Sequence, residues 1–167
     1  MFNLKFQSIM KKILYCLMLA VMLSACGGGK NGGEEKVYKV GDVITIDGQT
    51  GIVFDISSNG KHGKAISIAN TSCDWESAKT WCGSLGEAWR LPDCGELMIV
   101  HNNKEAINAA AKASGNKKMS GGGRYYWTSV QLEGEHDDHA WAVSLHSGKT
   151  FAYSHTHTQS VRAVAEF

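Results

Sequence analysis

β-Patterned segments stand at both ends of this chain and helix-patterned segments only between them. That order excludes the alternating plan of a parallel α/β sheet and leaves an α+β domain. Val43-Ile44-Thr45-Ile46, the turn Asp47–Gly51 and Ile52-Val53-Phe54 read as a hairpin, and Ala65-Ile66-Ser67-Ile68 as a third short strand. Trp75, Ala78, Cys82 and Leu85 then recur at spacings of three, four and three, one face of a helix that Gly86 can end. Pro92 precedes Asp93-Cys94-Gly95-Glu96, a capping-box start in which Asp93 caps and Glu96 reaches back. Leu97–Val100 make this second helix apolar on most sides, hence buried. Asn103 can cap a third, alanine-rich helix through Ala113, which Gly115 would stop. Strands return at Tyr125–Ser129, Ala140–Leu145, Thr150–His155 and Val161–Phe167, with His146–Lys149 as the turn between the middle two.

Ahead of this body lies an export signal. Lys11-Lys12, the apolar run Ile13–Leu23 and the small residues Ser24-Ala25 precede Cys26, and the run is too short to span a bilayer. Small residues before a cysteine resemble the bacterial lipobox, in which the thiol takes diacylglycerol and becomes the mature N-terminus. The expected organisation is a lipoprotein signal peptide at 1–25, lipidation at Cys26, a glycine-rich tether over 26–37 and one folded domain at 38–167. Met10 is a more typical start for such a signal than Met1. Loss of the signal removes Lys5, Lys11 and Lys12 and no acids, taking the formal charge from +1 to −2. A weakly acidic body gives no electrostatic reason to bind nucleic acid. The expected location is the bacterial envelope, lipid-anchored at the outer membrane, with the membrane as the first partner and the leaflet left open.

Cys73, Cys82 and Cys94 remain after Cys26. In an oxidising compartment they imply one disulfide and one free thiol. The pairing is open among the three. Cys82 lies on the apolar stripe of a helix, so Cys73–Cys94 is the pairing favoured here.

Four pieces in fixed order carry a family resemblance. They are Trp75-x-x-Ala78 with Trp81-Cys82, Trp89-Arg90-Leu91-Pro92-x-x-x-Glu96-Leu97, Tyr126-Trp127-Thr128-Ser129, and Val161-Arg162-Ala163-Val164. The set resembles bacterial surface domains of the C-type-lectin-like superfamily, in particular the collagen-like adhesin C-terminal domain family. Tyr38–Asp42 and Gly60–Gly63 look like lipoproteins of gut bacteroidetes that carry this domain. The resemblance implies a C-type-lectin-like fold and a broad binding or adhesive role. Calcium-dependent sugar sites in that superfamily use a Trp-Asn-Asp strand and a Glu-Pro-Asn loop. Here the strand reads Trp127-Thr128-Ser129 and Pro92 is the chain's one proline, so a calcium-dependent sugar site is not expected. Arg90 and Arg162 flank apolar residues and are expected to make structural ion pairs or carbonyl contacts.

Two segments are expected to meet a ligand, which would be a glycan or a protein. Glu133, Glu135, His136, Asp137, Asp138 and His139 make a dense polar loop, and its plainer account is a solvated tip. No metal or cofactor is expected, although His136 and His139 could hold a divalent ion with the neighbouring acids. Phe151, Tyr153, His155 and His157 alternate along a strand and should share one face as an aromatic–imidazole ridge. Flat rings stack on sugar faces and carboxylates bind sugar hydroxyls, so Tyr153, His155, His157, Glu133, Glu135, Asp137 and Asp138 are the candidate binding residues. An enzyme is not expected. Cys82 reads as buried, Ser129 and Ser154 sit in no nucleophile elbow, and Gly121-Gly122-Gly123 lacks the Lys-Ser/Thr of a phosphate loop. The other readings of the chain are a structural or assembly subunit contacting another envelope protein, and a metal-binding lipoprotein using its histidine-rich loops.

Overall fold

The first hairpin closes through a tighter turn than the sequence suggests. The computed structural model describes residues 36–116, 118, 119 and 122–167; the signal, Cys26 and the tether up to residue 35 lie outside the described residues. Strand β1 (Val43–Ile46) pairs with β2 (Gln49–Ile56) so that Ile46 faces Gln49, leaving Asp47 and Gly48 alone as the turn. Both have positive φ, 50° and 77°, as a two-residue primed turn requires. Strands β3 (Gly63–Ser67) and β9 (Val164–Glu166) complete an antiparallel sheet in the order β1-β2-β3-β9.

The second sheet runs β4-β8-β5-β6-β7. Its strands are β4 (Thr71–Cys73), β5 (Tyr126–Gln131), β6 (His139–Val143), β7 (Thr150–Ser154) and β8 (Gln159–Val161), antiparallel except where β5 meets β8. The C-terminal segment expected as one strand is therefore two, one in each sheet. The break falls at Arg162 and Ala163, where the buried Arg162 donates from one guanidinium nitrogen to the carbonyls of Ser67 and Ile68, at 2.7 Å each. A strand that changes sheets needs a fixed corner, and these carbonyl contacts supply it.

Three helices lie between the strand groups: α1 (Trp75–Gly83), α2 (Cys94–Asn102) and α3 (Lys104–Ala113). Asp74 caps α1 by accepting from the Ser77 amide at 2.9 Å, and the helix ends at Gly83, before Gly86. The capping box of α2 forms as read, with Asp93 and Glu96 each accepting the other's amide. Asn103 does not cap α3. Its side-chain amide instead donates to the Phe54 carbonyl at 3.0 Å and ties the helix to β2.

Two apolar clusters fill the interior. Ile52, Phe54, Ile66, Leu97, Val100 and Ile107 join the first sheet to α2 and α3. Trp75, Ala78, Cys82, Trp89, Trp127 and Ala140 join α1 to the second sheet. Trp75, Trp89 and Trp127 are buried, and their indole N–H groups reach the carbonyls of Thr128, Ile46 and Cys73 at 2.7, 3.0 and 3.0 Å. Trp81 and Trp141 are only half-buried, so three indoles rather than five carry this core. No helix among the described residues is long and apolar enough to cross a membrane.

Candidate ligand-binding face

The four ordered motifs converge, and they converge on structure rather than on a ligand. Trp75 reaches Thr128, the Ser129 amide donates to the Pro92 carbonyl at 2.7 Å, and Arg90 and Val164 exchange backbone hydrogen bonds at 3.0 and 2.9 Å. Arg90 forms a two-pronged ion pair with Glu96, and Arg162 makes the carbonyl contacts already described, so both arginines are structural as expected. The motif residues thus stitch the two sheets and α2 together. Ligand contact has to be sought on other surfaces.

The aromatic ridge exists, with changed membership. Phe151 and Tyr153 pair across to Ala142 and Ala140 of β6, and cross-strand partners share a face. The two small alanines leave room for the rings to lie on the sheet. Tyr153 packs beside Phe151, Tyr125, Trp127 and His157, with ring centroids 4.9, 5.5, 6.2 and 5.9 Å away. Phe151 is 56 % exposed on the edge strand, an unusual position for a phenyl ring, while Tyr153 is half-buried. Burial, with Tyr125 nearby, holds the Tyr153 hydroxyl above its ordinary pKa. Sequence alternation missed Tyr125, which comes from the approach to β5 and joins the ridge only through strand pairing.

His155 leaves the ridge. The strand ends at Ser154, and the His155 ring stacks on Trp75 at 4.2 Å and 17° instead. Lys79 covers the same indole, with its ammonium 3.8 Å from the ring centroid. His155 is half-buried and its Nε2 has no hydrogen-bond partner among the described residues, so it supports Trp75 more than it offers a ligand surface. Its backbone nevertheless links ridge and loop, since the His155 amide donates to the Asp138 carbonyl at 2.7 Å.

The polar loop is exposed but backbone-fixed. Gly134 takes φ 83° to begin a 3₁₀ turn (Gly134–His136), and the Leu132 amide closes the loop on the His139 carbonyl at 2.8 Å. Glu133, Glu135, His136, Asp137 and Asp138 all face solvent. The structure brings together His136, Asp138 and His139, whose potential ligand atoms lie within 4.8 Å of one another; of the neighbouring acids expected beside the two imidazoles, Asp138 is the one that joins them. A hydrogen bond from His139 holds the Asp138 carboxyl below the usual range.

Residues 43–165 match the family model described as the Lcl C-terminal domain. The chain belongs to the Lcl C-terminal domain family. The matched region runs from the start of β1 into β9 and contains the ridge and the loop. No curated protein matches the chain. Solved structures similar to it include botrocetin, at 8 % identity and TM-score 0.42 over 61 % of this chain and 90 % of that one. A chain of the von Willebrand factor mutant A1 domain–botrocetin complex gives 13 % identity and TM-score 0.40, covering 68 % and 97 %. The Yersinia pseudotuberculosis adhesin InvE gives 12 % and 0.33, covering 72 % of this chain and 33 % of the adhesin. Likenesses at that level leave the role to be argued from this chain's own residues. The α+β class is present in the molecule, with strands at both ends and three helices between, the layout expected of the resemblance.

Within this family domain the cysteines depart from expectation. Cys73, Cys82 and Cys94 are all free thiols, so the Cys73–Cys94 disulfide is not formed. Cys94 packs against the first apolar cluster and its thiol approaches the Thr128 hydroxyl at 3.6 Å, whereas Cys73 packs against the second cluster. Cys82 is fully buried as read, and burial pushes its thiol up to about 12. Burial likewise raises Cys73 and Cys94, so none of the three has the lowered pKa of a nucleophile. A cavity of about 560 Å³ lies elsewhere, along α3, lined by Lys104, Glu105, Asn108, Lys112, Lys118 and His146. Sequence reading did not find it, because the lysines are spread over helix and loop.

Proposed function

We propose that this chain is a non-catalytic, lipid-anchored binding module of the bacterial envelope, of the bacteroidetes surface-lipoprotein type. Its ligand face is the ridge of Tyr125, Phe151, Tyr153 and His157, and its ligand is a glycan bound without calcium. The observation that carries this reading is Phe151, more than half exposed at a sheet edge and backed by Tyr125 and Tyr153, with the His157 imidazole continuing the row beside Tyr153. Exposed rings in a connected row suit the apolar faces of sugars, and the adjoining loop supplies carboxylates for hydroxyl groups. Membership of a family whose motifs resemble adhesin C-terminal domains supports a binding role. Thr128 and Ser129 replace the amide and carboxylate of a calcium-dependent sugar strand, which supports the calcium-independent part. Raised thiol pKa values and the structural use of Arg90, Glu96 and Arg162 support a non-enzymatic role.

A glycan array probed with the full chain, with and without EDTA, tests this. Binding that survives EDTA and falls at least tenfold in Phe151→Ala, with an unchanged melting temperature, is expected. Tyr153→Ala should act in the same direction. His155→Ala should lower stability instead, because it uncovers Trp75. An array without any bound glycan would turn the ridge over to the second kind of ligand, another envelope protein.

A further inference from the structure

We propose that His136, Asp138 and His139 form a site for one divalent transition-metal ion of the zinc type. The three side chains come from four consecutive residues at the tip between β5 and β6, and their ligand atoms lie within 4.8 Å of one another. Asp138 Oδ1 is 2.7 Å from His139 Nδ1, and the His136 and His139 rings are 5.4 Å apart. Donor atoms around a tetrahedral zinc are about 3.3 Å apart, given bonds of about 2.0–2.1 Å. Closing the widest gap therefore takes only rotation of exposed side chains. His136 is free to rotate, since among the described residues its ring contacts only His139 and it has no hydrogen-bond partner.

The backbone beneath the site is already in place. Leu132 donates to the His139 carbonyl at 2.8 Å, Asp137 to that of Gly134 at 3.3 Å and His155 to that of Asp138 at 2.7 Å. The Gln131 side-chain amide also donates to the Asp137 carbonyl. The loop therefore need not order itself when the ion arrives, which removes much of the entropy that opposes binding at a surface loop. Two imidazoles and one carboxylate are the donors that zinc, copper, nickel or cobalt prefer. Calcium takes six to eight oxygens, and the cluster offers it one carboxylate. Glu133, Glu135 and Asp137 flank the cluster in solvent and make its surroundings attractive to a cation. Three protein ligands on an exposed tip leave a fourth position open to water or to a donor atom from outside the chain.

This site stands independently of the glycan reading, because the ion alone is the probe. Titrating EDTA-treated full chain in detergent with zinc chloride, by calorimetry, should show one zinc per chain. His136→Ala and His139→Ala should each weaken that binding at least tenfold, and millimolar calcium should not compete. The metal-free variants should melt with the parent, since His136 is exposed and His139 half-exposed. Asp138→Asn, which keeps the side chain's size, should weaken binding with the fold intact. Absence of zinc uptake by the parent overturns the site, and so does uptake that the His136→Ala/His139→Ala double variant leaves unchanged.

Discussion

Glu96 shows how one side chain can serve two levels of the fold. Its carboxylate accepts from Arg90 at 2.8 and 2.6 Å, from Lys64 at 2.8 Å and from the Asp93 amide at 2.9 Å, while the residue is 2 % exposed. Burial opposes its ionisation, but the hydrogen bonds from Arg90 and Lys64 outweigh burial and hold the carboxyl at about 2, below its ordinary 4.5. A lowered folded-state pKa adds stability that is complete above about 4.5 and disappears as the pH falls towards 2. The shift corresponds to about 3 kcal/mol. Glu96→Gln should destabilise by about 1–3 kcal/mol at neutral pH, because it removes the buried charge that Arg90 and Lys64 share, while both partly exposed cations keep Glu166 as a partner. It should also flatten the acid slope between pH 4.5 and 2. Urea unfolding at pH 7 and pH 3 measures both effects, and an acid slope equal to the parent's would contradict the role given to Glu96. Half of that role was legible beforehand: the capping box follows from local spacing. Lys64, 32 residues away in sequence, was not legible, since only sheet pairing brings it near.

At the level of elements, local chemistry is what sequence expresses best. The Asp93–Glu96 box rests on contacts within a few residues and forms as read, whereas the turn expected over Asp47–Gly51 shrinks to Asp47 and Gly48, and the one expected at His146–Lys149 widens because β6 ends at Val143 rather than Leu145. Gly48→Ala should destabilise by about 1 kcal/mol, because φ 77° is strained for a residue with a Cβ even in the open space around it. Gly83→Ala, in the last turn of α1 and equally unobstructed, should stabilise by about 0.5–1 kcal/mol. Chemical denaturation of the two variants side by side should show these opposite signs. Strand β4 and the division of β8 from β9 were not legible. Thr71-Ser72-Cys73 is too short to show a period, and nothing in Val161–Phe167 announces a change of sheet. That change depends on Arg162 meeting carbonyls of Ser67 and Ile68, 95 and 94 residues away. The ridge was legible through β7 only as far as the strand runs. His155, one step past its end, follows the turn and Trp75 instead of the alternation.

For the molecule as a whole, the domain's place in the cell is expected to follow from Cys26. Cys26→Ser should abolish labelling by a lipid precursor and move the protein from the membrane to the soluble fraction, because each buried CH₂ of the acyl chains is worth about 0.8 kcal/mol. Labelling that persists would assign the acceptor elsewhere. The proposed binding residues divide by the same logic as the fold. Side chains on one strand were found together, while Asp138 and Tyr125 gained their partners from the loop's backbone path and from strand pairing.

The first sheet holds both the earliest and the latest strands, and the ends of the fold touch. The Tyr38 amide donates to Gly60, the Gly63 amide to Phe167, and the Tyr38 and Phe167 rings meet edge to face at 4.8 Å. A fold that begins and finishes at one spot is topologically a closed circuit with a single doorway. Such a unit can be spliced into a surface loop of an unrelated host whose flanking residues are a few ångströms apart. The host then holds the doorway shut with little loss of loop entropy, and the tip between β5 and β6 and the ridge are carried along as a ready-made cassette.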